Sequence, residues 1–304
     1  MNFRAWLPRA AAGLAAAVLL SGCSLAPEPL PTTQRETRST VLEPQAPGEV
    51  VLGNDFAGVD ASNTGEGYIQ LRYAGEAAKA KVQLTLPDGN LYTYTLAPGD
   101  YETLPLTGGS GTYGVAVLEN AFDNIYALAY SGEFLAENVD EFKPYLYPNQ
   151  YVWFTESSRA AALGAEISEQ SADDLDYVSR VYSYVVENIT YDKELAASIP
   201  VDYVPDLERT LETGKGICLD YASLMTALLR SQGIPTKLVV GYSGTAYHAW
   251  ISVYLEETGW MDGVIYFDGV SWSRIDPTLA AGNRDTSVKD YVNNNDNYKE
   301  KYFY

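Results

Sequence analysis

The sequence predicts an α+β fold in two parts, an all-β sandwich followed by a domain whose helices precede an antiparallel sheet. Three observations predict it. Residues 50–155 hold short alternating apolar runs broken by Gly, Pro and Asn/Asp turns. Between about 171 and 231 the apolar residues recur at helical spacing. From 237 to 276 the alternation returns, so helices come first and strands after.

The first element is not part of the fold. Residues 1–22, "MNFRAWLPRAAAGLAAAVLLSG", place Arg4 and Arg9 before an apolar run and small residues, the layout of a secretory signal. Leu20-Ser21-Gly22-Cys23 resembles the lipobox of bacterial lipoproteins. That resemblance implies cleavage before Cys23, lipidation of Cys23, and an extracytoplasmic protein lipid-anchored to a bacterial membrane. Residues 23–49 carry five prolines among Thr, Ser and charged residues and read as a disordered Pro-rich linker.

The β-sandwich domain, 50–155, opens with "YIQLRY" (68–73), "KVQLTL" (81–86) and "LYTYTL" (91–96). The last two are joined by Pro87-Asp88-Gly89-Asn90, a hairpin turn. "TYGVAVLE" and "IYALAYSGEF" continue the pattern. The many tyrosines here suit half-buried sheet faces, with carbohydrate binding as the other reading.

The second domain, 156–304, begins with a helix from Ser171, whose spacing to Asp174 suggests a capping box. Leu175, Val178, Tyr182, Val185, Val186 and Ile189 form its apolar stripe. Another helix starts near Cys218 and ends near Ser231, with Tyr221, Met225, Leu228 and Leu229 inward and Gly233 at its end. Strands follow at 237–242, 248–255 and 270–276. In the middle one His248, Trp250, Ser252 and Tyr254 share a face. The tail from Asn293 ends in aromatics that fit an edge strand.

Composition narrows the function. A net charge of −20 repels phosphate backbones and excludes nucleic acid as a natural partner. No phosphate-binding glycine loop, dinucleotide fingerprint or calcium loop is present. One histidine and one unlipidated cysteine cannot supply an ordinary zinc site, so no cofactor or metal is expected.

With Cys23 taken by lipid, Cys218 has no intramolecular partner, and an unpaired thiol outside the cytoplasm is exposed to oxidation. Burial as a small hydrophobe is one account of it; nucleophilic chemistry is the other. "GKGICLDYA" sets Cys218 at the start of the helix, where the macrodipole favours a thiolate. The glycines are expected to let the backbone approach closely and leave amides free for an oxyanion. Asp220, in the same turn, opposes a thiolate. His248 is the sole histidine and the sole imidazole base on offer. Asp276, ending a later apolar run before Pro277, is placed to orient His248 if adjacent antiparallel strands carry the two.

"TLETGKGICLDYASLMTALLRSQGIPTKLVVGY", then "HAW", then "DPT", resembles the bacterial transglutaminase-like superfamily. The likeness runs from about "NITYD" (188–192) to "DPT" (276–278) and leaves out the β half. It implies a papain-like α+β fold for the C-terminal domain and a catalytic triad of Cys218, His248 and Asp276. One departure is "EETGWMDGVIYFDGVSW", an extended hairpin between the His and Asp strands. The resemblance implies a thiol acyl-transfer enzyme, a cysteine peptidase or amidase or a cross-linking enzyme, acting on extracytoplasmic peptides or proteins. The alternative is a non-catalytic binding or scaffold lipoprotein that recognises its partner through the β domain.

Overall fold

Alternating side chains build the first half. In the computed structural model, residues 35–36, 41–262 and 298–304 are described, together with the backbone of 265–267 and 272–274. Strands β1 (Val51–Gly53), β2 (Ala57–Asp60), β3 (Tyr68–Tyr73), β4 (Ala80–Thr85), β5 (Leu91–Leu96), β6 (Glu102–Pro105), β7 (Gly111–Phe122) and β8 (Ile125–Ala136) come first. They form two four-stranded antiparallel sheets, ordered β1-β2-β3-β6 and β5-β4-β7-β8. Strict alternation of buried and open residues along β4 and β5 sends Val82, Leu84, Tyr92 and Tyr94 into the core. The β4–β5 turn is closed by the Leu86 amide on the Asn90 carbonyl, and Gly89 supplies its left-handed residue. Tyr68, Tyr73, Tyr92, Tyr94 and Tyr113 are buried, so these tyrosines are packing residues.

The second half opens with α1 (Arg159–Glu169) and α2 (Asp174–Asn188), then β9 (Thr190–Tyr191), α3 (Lys193–Ala197), α4 (Leu207–Thr213), β10 (Lys215–Gly216) and α5 (Cys218–Arg230). The expected cap of α2 is corrected by two residues, from Ser171 to Asp173. Asp173 accepts the Asp176 amide and the Asp176 carboxylate accepts the Ala172 amide, while the Ser171 hydroxyl bonds back to Ile167 at the end of α1. Two aspartates with the right reach outcompete the serine. Helices α1, α3 and α4 had no clear sequence signal. Helix α5 is buried almost throughout, which only a central helix can be.

Strands β11 (Thr236–Ser243), β12 (Ala246–Leu255), β13 (Gly259–Asp262), β14 (Ile265–Phe267), β15 (Trp272–Arg274) and β16 (Tyr298–Phe303) complete the described chain. Order β13-β12-β11-β16 makes an antiparallel sheet packed on α5, with the C-terminal strand at its edge as the tail pattern suggests. Within the departure from the family pattern, β13 extends the sheet, and among the described residues β14 and β15 pair with each other.

Thr33–Tyr304 is one compact unit with a core continuous between its halves. Tyr92 of β5 lies edge-on to both Tyr302 and Tyr304, and its hydroxyl accepts the Phe303 amide. Arg230, at the end of α5, is 2% exposed. It donates to the carbonyls of Tyr147, Thr236 and Tyr304, so one guanidinium joins the helix, the sheet edge and the β half. Burial lowers its pKa to about 9.

Part of the expected linker is bound to the fold. Arg35 is 6% exposed and donates to Asp174, Ser168 and the Gln232 carbonyl, with its guanidinium 4.6 Å from the Tyr177 ring centroid. The Gln45 amide donates to Tyr68 and the Gly48 amide to Asp60. A buried cation with three acceptors is the opposite of a free spacer, and composition alone could not show it. No helix among the described residues is long and apolar enough to cross a membrane.

Candidate active site

The site is assembled at the start of α5. Gly214 ends α4 in the left-handed conformation (φ +61°), which a residue with a Cβ resists, and its carbonyl takes the Thr190 amide. Lys215–Gly216 pairs in parallel with Thr190–Tyr191, and the Gly216 carbonyl takes the Asp192 amide. A Cβ on Gly216 would lie 2.6 Å from the Asp220 Cβ. The glycines of "GKGIC" therefore serve packing: one caps a helix and the other makes room for a carboxylate. The expectation that they leave the amides open is corrected at Ile217, whose N–H donates to Asp220 Oδ2 at 2.8 Å.

Cys218 is the first residue of α5, partly buried, and the free cysteine of the described residues. Ile217, the N-cap, has no acceptor in its side chain; the side chain that serves this helix end is Asp220 at N3, which takes the Ile217 amide. Cys218 thus stands in the first turn of the helix, at the positive end of its dipole.

Asp220 is fully buried and held by three groups. Besides the Ile217 amide it accepts the Tyr203 hydroxyl at 2.7 Å on Oδ1, and Arg209 Nη2 stands 3.7 Å from that same oxygen. Arg209 also donates to the Tyr203 oxygen at 2.6 Å. Burial pushes the Asp220 carboxyl above its ordinary value, and these hydrogen bonds with the Arg209 charge oppose that rise. The same contacts tie the carboxylate back into the fold and set a cation against it, which answers its expected opposition to a thiolate. Position N3 of a helix is a known place for such a carboxylate. Nothing in the sequence marked Tyr203 or Arg209 as its partners.

His248 lies in β12 opposite Gly241 of β11 and on the same face as Trp250, its ring stacked at 6.4 Å. Strand β12 starts two residues before it, at Ala246, and packs on α5. The neighbouring Tyr247, 57% exposed, has a pKa raised to about 12 by partial burial, with smaller contributions from nearby phenols and from Cys218. Tyr247 was not anticipated; consecutive strand residues point to opposite faces, so Tyr247 and His248 present different sides of β12 there.

Asp276 and Cys23 lie outside the described residues.

Residues 161–263 match the model of the transglutaminase-like superfamily. This part of the chain is a transglutaminase-like domain. Its mixed helices and antiparallel sheets, preceded by an all-β region, agree with the fold class expected from sequence. The uncharacterised protein YebA of Bacillus subtilis (strain 168) is 30% identical over a match covering 38% of this chain and 19% of YebA, so the chain spans about a fifth of that relative. A candidate cysteine protease from Cytophaga hutchinsonii aligns over 78% of this chain and 83% of its own at 13% identity and a TM-score of 0.38. Red sea bream transglutaminase aligns over 74% and 53% at 14% identity and a TM-score of 0.29. Scores this low add nothing to the family match. The matched segment includes the cysteine at the start of α5.

Proposed function

We propose that the chain is a surface-anchored lipoprotein enzyme that transfers acyl groups through Cys218. Its substrates are extracytoplasmic peptides or proteins, and the products are those of a cysteine peptidase, an amidase or a cross-linking enzyme. The observation that carries this reading is Cys218 as the first residue of α5, a helix packed on the strand that bears His248, inside a transglutaminase-like domain.

The sulfur attacks the carbonyl carbon of an amide, and the S–C bond forms as the carbonyl electrons move to oxygen. When the oxyanion collapses, the C–N bond breaks and the amine leaves with a proton donated by the His248 imidazolium. Water or a second amine then attacks the thioester, His248 accepts its proton, and the thiolate is released. Asp276 serves to hold the imidazole in the required tautomer. Export and lipidation at Cys23 place the enzyme outside the cytoplasm, where the 23–49 segment and the membrane anchor keep it at the surface.

Alkylation of Cys218 across a pH series, in the parent and in His248→Ala, tests the reading. The expected result is a rate below neutrality at least roughly ten-fold higher in the parent, because an imidazolium beside the sulfur favours the thiolate. Superimposable profiles would remove the pair and with it the enzyme. A second reading, a binding or scaffold lipoprotein without turnover, draws on one observation. Tyr247, beside His248 on β12 and 57% exposed, takes an electrostatic contribution from Cys218. That reading expects those superimposable profiles and no acyl transfer.

A further inference from the structure

The chain is rich in tyrosine and poor in thiols, with 25 tyrosines and 2 cysteines. Among the described residues, tyrosine rings meet in several pairs, and in all but one of these at least one ring is buried. The exception is Tyr242 with Tyr247, 39% and 57% exposed. Their ring centroids are 5.5 Å apart and their planes are inclined by 65°.

The backbone fixes this pair. Ser243 pairs with Ala246 across the tight turn Gly244-Thr245, where Gly244 takes the left-handed conformation at φ +60°. Tyr242 and Tyr247 form the next rung, directly opposed in the antiparallel ladder, so both rings stand on one face. The rung after it holds Gly241 and His248.

We propose that Tyr242 and Tyr247 are a covalent modification site, joined as dityrosine when a haem peroxidase and hydrogen peroxide act on the chain. Each phenol gives up one electron and its hydroxyl proton, and the spin of the phenoxyl radical spreads to the ring carbon beside the oxygen, Cε. The two Cε atoms join in a new C–C bond. The hydrogen that each carbon carried then moves to its oxygen and restores two phenols. One hydrogen peroxide takes up the two electrons and two protons and becomes two waters.

Two features single out this pair. Radicals that share a rung cannot diffuse apart, so coupling between them outruns coupling between molecules. Both rings are also open to the oxidant, whereas a pair such as Tyr92 and Tyr304 is sealed in the core. The product is a staple at the turn end of the ladder that carries His248. It does there what a disulfide would do, in a chain that has no second thiol once Cys23 is lipidated. The coupling itself rests on neither lipidation nor acyl transfer.

The test uses the full chain carrying Cys218→Ala, so that no thiol consumes the oxidant. A haem peroxidase with limiting hydrogen peroxide is applied to dilute protein. Single chains recovered after denaturing separation are then examined for dityrosine fluorescence and by peptide mapping. The peptide that holds Tyr242 and Tyr247 is expected to be lighter by two hydrogens. Tyr242→Phe and Tyr247→Phe should each lower the yield in single chains roughly ten-fold, because either change leaves one phenol alone on its rung. Tyr101→Phe, which removes a ring 38% exposed beside Arg72, should leave the yield unchanged. A yield indifferent to both rung variants, a loss of hydrogens that maps to other tyrosines, or dityrosine confined to chains joined to one another overturns the inference. Single chains free of dityrosine once the peroxide is spent overturn it too. None of these outcomes bears on the alkylation experiment, so the staple and the enzyme stand or fall separately.

Discussion

The Tyr203 hydroxyl donates to Asp220 across 2.7 Å, and this bond supports the turn from which Cys218 projects. Tyr203→Phe removes it and leaves Asp220 Oδ1 facing only Arg209 at 3.7 Å. The hydrogen bond lowers a carboxyl that burial raises above 3.8, so its loss raises that carboxyl further. A carboxyl with a raised folded value stabilises the fold below its unfolded value and loses that contribution as pH rises. The variant's deficit therefore grows as pH rises above the unfolded value of 3.8. Urea titrations at neutral and acid pH should show a deficit of about 1–2 kcal/mol at neutrality, smaller in acid. A deficit independent of pH would mean that the hydroxyl acts by packing alone.

Gly216→Ala tests the space beneath the same carboxylate. The added methyl would stand 2.6 Å from the Asp220 Cβ, closer than two carbons can approach. Either Asp220 or the β10 pairing must shift, at a cost of about 1–3 kcal/mol. Because Asp220 holds the Ile217 amide, the shift reaches Cys218 and the alkylation rate should fall along with the melting temperature. A stability loss with unchanged thiol reactivity would separate the packing of Gly216 from the presentation of the sulfur.

Arg230→Lys keeps the charge and discards the fork. The guanidinium serves carbonyls of Tyr147, Thr236 and Tyr304 in three directions, whereas an ammonium on a flexible stem reaches fewer of them. Carbonyls left unpaired in a fully buried site should cost about 2–4 kcal/mol in denaturant unfolding. The motif R-x-x-GIP thereby has a structural meaning: the arginine knots the end of α5 to the sheet, and Gly233 (φ +76°) turns the chain into β11.

What could be read in advance follows from the range of the forces involved. The strand pattern located β3 and β5 to the residue and β4 within one, because alternation is a local property of the pleat. Helix α5 was visible from its stripe and its glycine stop. Helix α1 was not, since its alanines and single glycine give little contrast between faces; Gly164 lies where a Cβ would strike the Ser231 hydroxyl oxygen. The cysteine and histidine were legible as types in order, and the packing of α5 on β12 accounts for that order. The partners of Asp220 and the burial of Arg35 join residues far apart in sequence, and no periodicity encodes such pairs.

Asp202 links the halves at the surface and gives a second pH signature, opposite in sign to that of Asp220. Its carboxylate lies 2.9 Å from Lys79 Nζ and 3.5 Å from Lys81 Nζ, two residues reached from β4. The hydrogen bond from Lys79 holds its pKa below the ordinary 3.8, with burial opposing. A carboxyl with a lowered folded value contributes stability above its unfolded value and loses it as pH falls through the folded one. Asp202→Asn should therefore be less stable than the parent at neutral pH, with the gap starting to close as pH falls past about 3.8 and gone only below the lowered folded value. Solvent screening of these partly exposed groups limits the difference to about 1 kcal/mol at most, and high salt should shrink it further. Paired urea titrations of the two proteins from neutral pH into acid, at low and high salt, check it; curves that stay parallel through the acid range would show that the carboxylate contributes shape and not charge.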